Sequence, residues 1–229
     1  MAASPDQIRC ARSLIVIKDV FPKILRKIIT NQQCPMPAQA LHGMIGRDRE
    51  FQQILDADEK QLIQVLATEG YDGIDFCLLY KLIRYYKLVD EPSRGWGNSP
   101  FPIDSKLSDD IERLRTCRNV MTHKPNAELT IIGENMFFTE VLEIAKRVDI
   151  HLQMNFESEI SQIQKCNMDA SMEEKYIGLL EKYVELKGKH RSLHFWWSPY
   201  WTFVLVFCVV YYVSLHSGFR VVMSVTIAT

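Results

Sequence analysis

No surplus of positive charge marks this chain. Its 27 lysines and arginines meet 28 aspartates and glutamates, a formal net charge of −1 over 229 residues. Bulk electrostatics therefore makes no case for a nucleic-acid or acidic-membrane binder, although a local basic face remains compatible with that balance. The six cysteines, at 10, 34, 77, 117, 166 and 208, stand far apart. No CxxC or Cys/His cluster occurs, which argues against a zinc site or a small disulfide scaffold. The main domain reads as cytosolic with reduced thiols. The first ten residues are polar and the stretch Leu14–Val20 contains Lys18 and Asp19, so no signal peptide is read there. A P-loop, an HExxH and a GxSxG are all lacking. No metal or cofactor is expected. Repeats and low-complexity runs are also missing, and alternating β patterns are scarce.

One region lacks charge altogether. Residues 195–215, FWWSPYWTFVLVFCVVYYVSL, hold 21 positions without a formal charge. A bilayer core takes about 20 apolar residues as a helix. Trp196, Trp197, Tyr200 and Trp201 gather at one end and Tyr211 and Tyr212 near the other, as interfacial aromatics do. Pro199 suits a first helical turn. A single transmembrane helix is expected at 195–215, followed by a short tail over 216–229. Lys182, Lys187, Lys189 and Arg191 precede the span and only Arg220 follows it. The positive-inside tendency then puts the N-terminal domain in the cytosol, a tail-anchored topology.

What is abundant is apolar spacing of helical period. Ser4-Pro5-Asp6-Gln7 reads as a capping box that opens a helix toward Ile29, kinked at Pro22. Cys34-Pro35-Met36-Pro37 reads as a loop and Arg49–Leu55 as a short helix. Asp58 caps the next helix, which carries Leu62, Ile63, Val65 and Leu66. A break at Gly70–Gly73 precedes a helix over Ile74–Leu88. Asp90–Asp104 is a long Pro- and Gly-rich loop, of the kind that is often functional or mobile. Ser108 is expected to cap a helix whose first turn holds Asp109, Asp110 and Glu112. Lys124-Pro125-Asn126 ends it. Ile131 and Ile132 fall in a short connection, and Met136 to Lys165 reads as one helix. Ser171 to Glu174 is a further capping box. The helix after it presents Tyr176, Leu179, Leu180, Tyr183 and Leu186, a narrow seam that suits either a stalk or a helix packed on the domain.

The densest local chemistry is the hexapeptide Arg118-Asn119-Val120-Met121-Thr122-His123. Arg118 stands four residues beyond Leu114 and seven beyond Ile111, so the three share a face. Arg113 and Arg115 have acidic neighbours three or four residues back. The corresponding neighbours of Arg118 are Leu114 and Arg115, so a counter-charge for it has to come from elsewhere in the fold. Histidine, with an unperturbed pKa of about 6.5, can exchange a proton near neutral pH. Arginine can hold a phosphate and stabilise added transition-state charge. Asn119 can orient either group. RNA supplies its own nucleophile, the 2′-hydroxyl, so such a site needs no metal. Five residues on a continuous helix place the two side chains about 140° apart. They converge only where the helix ends or bends between them, or where two copies face each other. In the loop, Trp96 between Gly95 and Gly97 could stack on a base and Arg94 could touch a phosphate; the alternative is a Trp that plugs the core edge.

Three stretches together, YDGIDFCLLYKLIRYY, GWGNSPFP and SKLSDDIERLRTCRNVMTH, make the region from about 10 to 150 resemble a HEPN domain, more narrowly the DZIP-like HEPN family. The last stretch matches the family's R-x4–6-H motif in its R-N-x-x-x-H form, with Arg118 and His123 at the fixed positions and Asn119 at the frequent polar one. The resemblance implies an all-α helical bundle that often pairs through its motif-bearing helices. It also implies RNA binding, metal-independent endoribonuclease activity at a composite two-protomer site, or a non-catalytic interaction module, in immune or stress settings. The expected organisation is a HEPN-like domain over 4–155, a helical stalk over 156–194, the span at 195–215 and the tail. The expected function is a membrane-anchored, homodimeric RNA-binding protein with catalytic Arg118, Asn119 and His123 and RNA-binding Arg94 and Trp96. A protein-interaction scaffold at a membrane is the alternative.

Overall fold

Nine α-helices and one π-helical turn make up the described part of the chain, residues 4–31, 35–124 and 126–166 of a computed structural model. Among the described residues there is no β-strand. The helices are α1 (Pro5–Ile15), α2 (Phe21–Thr30), α3 (Ala38–Arg47), α4 (Arg49–Ile54) and α5 (Ala57–Glu69). They continue with α6 (Phe76–Tyr85), α7 (Leu107–Thr122), α8 (Ile131–Leu152) and α9 (Phe156–Lys165). The architecture is all-α, as the helical periodicity predicts.

The N-terminal capping box forms as expected. Ser4 N–H donates to Gln7 Oε1 at 2.8 Å and Gln7 N–H donates to Ser4 Oγ at 3.3 Å. Pro22 does not produce a simple kink. Its ring nitrogen cannot donate back to residue 18, and the chain absorbs the lost bond in a π-helical turn over Val16–Val20, closed by Phe21 N–H on the Val16 carbonyl. Val16, Val20, Phe21, Ile24, Leu25 and Ile28 are completely buried along this rod. It packs against α6, whose Leu78, Leu79, Leu82 and Ile83 are buried, and against α8 and α9.

Several boundaries differ from the sequence pattern. Helix α3, over AQALHGMIGR, is not signalled, because its buried face holds only Ala38, Leu41 and Ile45 and its two glycines lower its helix propensity. Asp56, not Asp58, caps α5: its side chain accepts from Glu59 N–H at 2.8 Å while Glu59 Oε2 accepts from Asp56 N–H at 3.0 Å. Helix α7 begins one residue before Ser108, and Asp109 closes its first turn onto Lys106 N–H. Ser108 is buried, with no hydrogen-bond partner for its hydroxyl among the described residues. Ile131 and Ile132 are the first residues of α8, capped by Thr130 and 60% and 69% exposed.

The expected single helix from Met136 to Lys165 is broken. Gln153 adopts a left-handed conformation (φ 54°) after α8. Asp149 then reaches forward, its two carboxylate oxygens accepting from Phe156 N–H and Glu157 N–H at 2.8 Å, to start α9. Residues 156–165, which the sequence pattern assigns to the start of a stalk, pack as α9 against α8, α1 and the π-helical turn. Phe156 is 4% exposed and Ile160 is fully buried. Among the described residues no helix is long and apolar enough to cross a membrane. The expected span at 195–215, its tail, and the stalk beyond 166 lie outside the described residues.

Candidate functional site

Helix α7 carries two kinds of chemistry, one at each end. In its first two turns Asp109, Asp110 and Glu112 are fully buried. A buried carboxylate without partners is costly, so each must be matched. Asp109 accepts from Ser93 N–H (2.7 Å), Ser93 Oγ (2.9 Å) and Lys106 N–H (3.0 Å). Asp110 accepts from Arg113 Nη1 (2.8 Å) and, in a fork, from Arg147 Nε (3.0 Å) and Nη2 (2.7 Å) of α8. Glu112 accepts from Tyr80 Oη (2.5 Å), Gly97 N–H (2.9 Å) and Arg115 Nε (2.6 Å). Burial, and then the bond to Glu112, push the Tyr80 hydroxyl up to about 12. The i,i+3 pairings of Arg113 and Arg115 are those the sequence suggests. What the sequence does not signal is that these acids bind the long loop rather than merely favouring a helix start.

The loop is therefore a strap tied down at three points. Ser93 hangs on Asp109 and Gly97 on Glu112. Arg113 Nη2 donates to the Phe101 and Asp104 carbonyls at 2.7 and 2.6 Å. Gly95 and Gly97 sit at φ 75° and 88°, a region that disfavours other residues. Between them Trp96 is partly exposed and meets the Tyr80 ring at 5.7 Å, nearly perpendicular. Arg94 is exposed and engaged within the strap: Nη1 donates to the Ser99 carbonyl at 2.9 Å and the guanidinium lies 4.1 Å from the Phe101 ring centre. The structure places Arg94 and Trp96 on the strap, two residues apart.

At the other end of α7 stand the motif residues. Arg118 is half-buried, and its Nη1 donates to Asn119 Oδ1 at 3.1 Å. Its charge reaches Cys77 on α6, where burial pushes the thiol up and Arg118 pulls it down. His123 is exposed and is the C-cap of the helix, with φ −96° and ψ 1°. Its N–H donates to the Asn119 carbonyl at 3.0 Å. Asn119 thus holds the Arg118 side chain with its own side chain and the His123 backbone with its carbonyl. The helix continues through Thr122, so nothing bends between Arg118 and His123. Their side chains leave the axis about 140° apart and about 7.5 Å along it. The helix ends at Thr122, between the two motif residues, with His123 as its cap.

Beside this end a groove of about 670 Å³ opens between α7 and α8, floored by Cys117, Met121, Leu129 and Phe137, with Met136 and Glu140 on its rim. Burial, and then Glu140, push the Cys117 thiol up to about 12. Gly133 leaves room for the Leu129 side chain, whose Cδ1 would lie 2.7 Å from a Cβ there. Among the described residues no group of three or more His, Cys, Asp or Glu is placed to hold a metal ion.

The family model of the DZIP3/hRUL138-like HEPN domain matches residues 50–176, more than half of the chain. The match begins at α4 and contains the strap and both ends of α7. It leaves α1 to α3 outside, although the resemblance read from sequence starts near residue 10. Comparison with curated proteins and with solved structures finds no match. The all-helical architecture, the strap and the R-N-x-x-x-H helix end fall within the matched residues, and the chain belongs to the DZIP3/hRUL138-like HEPN family.

Proposed function

We propose that the domain binds single-stranded RNA and cleaves it, without a metal ion, at a composite site built by two copies of the α7 end. The observation that carries this reading is that Arg118, bonded through Nη1 to Asn119 Oδ1, and an exposed His123 stand together at one helix end. In the reaction the 2′-hydroxyl of the substrate attacks the adjacent phosphorus. One His123, neutral, takes the hydroxyl proton. The His123 of the second copy, protonated, returns a proton to the departing 5′-oxygen. The products are a 2′,3′-cyclic phosphate and a free 5′-hydroxyl. Arg118 holds the non-bridging oxygens and stabilises the charge of the phosphorane. One histidine cannot be base and acid in the same step, which is a chemical reason for pairing. The uncharged segment 195–215 would hold the domain at a membrane with 4–166 on the cytosolic side, a setting suited to RNA turnover in immune or stress responses.

The test is cleavage of a single-stranded oligoribonucleotide by the full chain in detergent micelles with excess chelator. The expected result is cyclic-phosphate ends, lost in His123→Ala and in Arg118→Ala. Intact RNA with the unaltered chain, or equal cleavage by His123→Ala, refutes the catalytic reading.

A second reading, a non-catalytic scaffold, is favoured by the α7–α8 groove, where Val120 and Met136 are 63% and 69% exposed. It predicts a protein partner whose binding is lost in Met136→Asp and unchanged in His123→Ala.

A further inference from the structure

The strap and the two helices beneath it form a surface that the motif does not use. Tyr80 and Arg84 stand four residues apart on α6 and so share a face. Arg115 on α7 lies with its guanidinium 5.8 Å from the Tyr80 ring centre and donates from Nη2 to the Gly97 carbonyl at 2.8 Å. Arg118 follows one turn later on the same side of α7. Trp96 meets Tyr80 edge to face, so whichever ring presents its edge, at least one indole face is left uncovered by Tyr80. Trp96 is partly exposed, and a Cβ built on the neighbouring Gly97 would meet nothing within 4 Å, so the backbone beside the indole is uncrowded. Glu112 balances Arg115, while Arg84 is exposed and forms no ion pair with any described residue.

We infer that Trp96, flanked by Arg84 and Arg115, is a stacking subsite for one base of a single-stranded RNA whose backbone runs along α6 and α7 toward Arg118. The inference rests on the RNA reading above and names where the strand lies. A partly exposed indole with one face free of Tyr80 takes any unstacked base, and Arg84, which forms no ion pair with a described residue, takes an adjoining phosphate, with Arg115 held beside the ring by Glu112 and Gly97. A duplex cannot use it, because its bases are already stacked. The rigid strap makes this a preformed platform, since the Gly97 backbone is bonded to both Glu112 and Arg115.

The experiment measures binding, not cleavage, with the full chain in detergent micelles carrying His123→Ala. The probe is a short oligoadenylate with one 2-aminopurine, compared with a duplex of the same length. The expected results are quenching of the probe by the single strand's binding and a loss of affinity of about tenfold or more in Trp96→Ala. Trp96→Phe should retain most of the affinity, and Arg84→Gln should lower the salt slope by about one. Unfolding midpoints of the variants are measured alongside, and Trp96→Phe with the quenching signal decides the matter if Trp96→Ala does not fold. Equal affinity for strand and duplex, affinity of Trp96→Ala within about twofold of its parent, or a protein partner that needs Trp96 in the absence of any RNA binding overturns the inference. If Trp96-dependent binding holds and the unaltered chain leaves RNA uncut, only the catalytic reading falls.

Discussion

Asp110→Asn tests what holds α7 in place. The Asp110 side chain is fully buried, and its two partners are 10% (Arg113) and 31% (Arg147) exposed. The substitution keeps the shape and removes the charge, leaving two guanidiniums to share one amide oxygen. Breaking a buried ion pair by removing one partner costs about 3–5 kcal/mol. Arg147 is close enough to the surface to turn toward water, and Arg113 keeps its bonds to the Phe101 and Asp104 carbonyls. The expected cost is therefore lower, about 2–4 kcal/mol. With a slope of about 1–3 kcal/mol per molar urea, the unfolding midpoint should fall by about 1–2 M. That is a large share of a typical total of about 5–15 kcal/mol. Arg147→Met in the same background removes the surplus cation. The double variant should then lie about 1–3 kcal/mol above the sum of the single losses. A loss below about 0.5 kcal/mol for Asp110→Asn, the range of ordinary surface changes, or strict additivity with Arg147→Met refutes the assignment.

The tyrosines give a pH dependence. Tyr80 is pushed up to about 12 from an unfolded value of 10, so the fold favours its protonated form. That contribution is fully present below pH 10 and is lost as pH rises through about 12. Urea titrations across that window should show falling stability, and tyrosinate absorbance should lag behind free tyrosine; a native titration at the free value contradicts the Tyr80–Glu112 bond. Gly97→Ala puts a side chain at φ 88° and should cost about 1–3 kcal/mol, read by thermal unfolding; an unchanged midpoint would mean that the strap is not fixed there. Cys117 should stay unalkylated at about pH 8.5 while the exposed Cys166 reacts; mass mapping of the labelled cysteines decides.

Helix existence was readable because the apolar period of α2, α6 and α8 is strong, and the buried residues Leu79, Leu82, Ile83, Val141 and Ile144 follow from it. The misreadings share a physical cause. The nearest Ser, Thr or Asp marks a helix start in the sequence pattern, but the caps are decided by backbone geometry that spacing does not encode. Ser108 is buried inside α7, and Asp149 caps a helix seven residues ahead of itself. The break at Gln153 carries no glycine or proline to announce it. Helix α3 is amphipathic but diluted by two glycines. The motif residues were legible from local sequence. The strap was not, since it depends on bonds between positions 93 and 109, 97 and 112, and 101 and 113, each of which needs the tertiary fold to be known.

The strap ties down the first half of α7, and the motif residues stand at the other end of the same helix. A helix end can present charged groups at fixed positions only if the helix cannot slide or rotate against its neighbours. Leu114 and Ile111 give α7 a buried seam, but apolar contacts alone tolerate small rotations. The buried acids do not, because turning Asp110 or Glu112 away would strand a carboxylate and at least one arginine in low dielectric. Asp110 ties α7 to α8, Glu112 ties it to α6, and both reach the strap, directly or through Arg113. The residues that fix the angular position of Arg118 are thus one and two turns before it, on other faces of the same helix. For the composite site proposed above a rigid helix is a condition, because the Arg118 of one copy would have to meet the His123 of another in a single geometry.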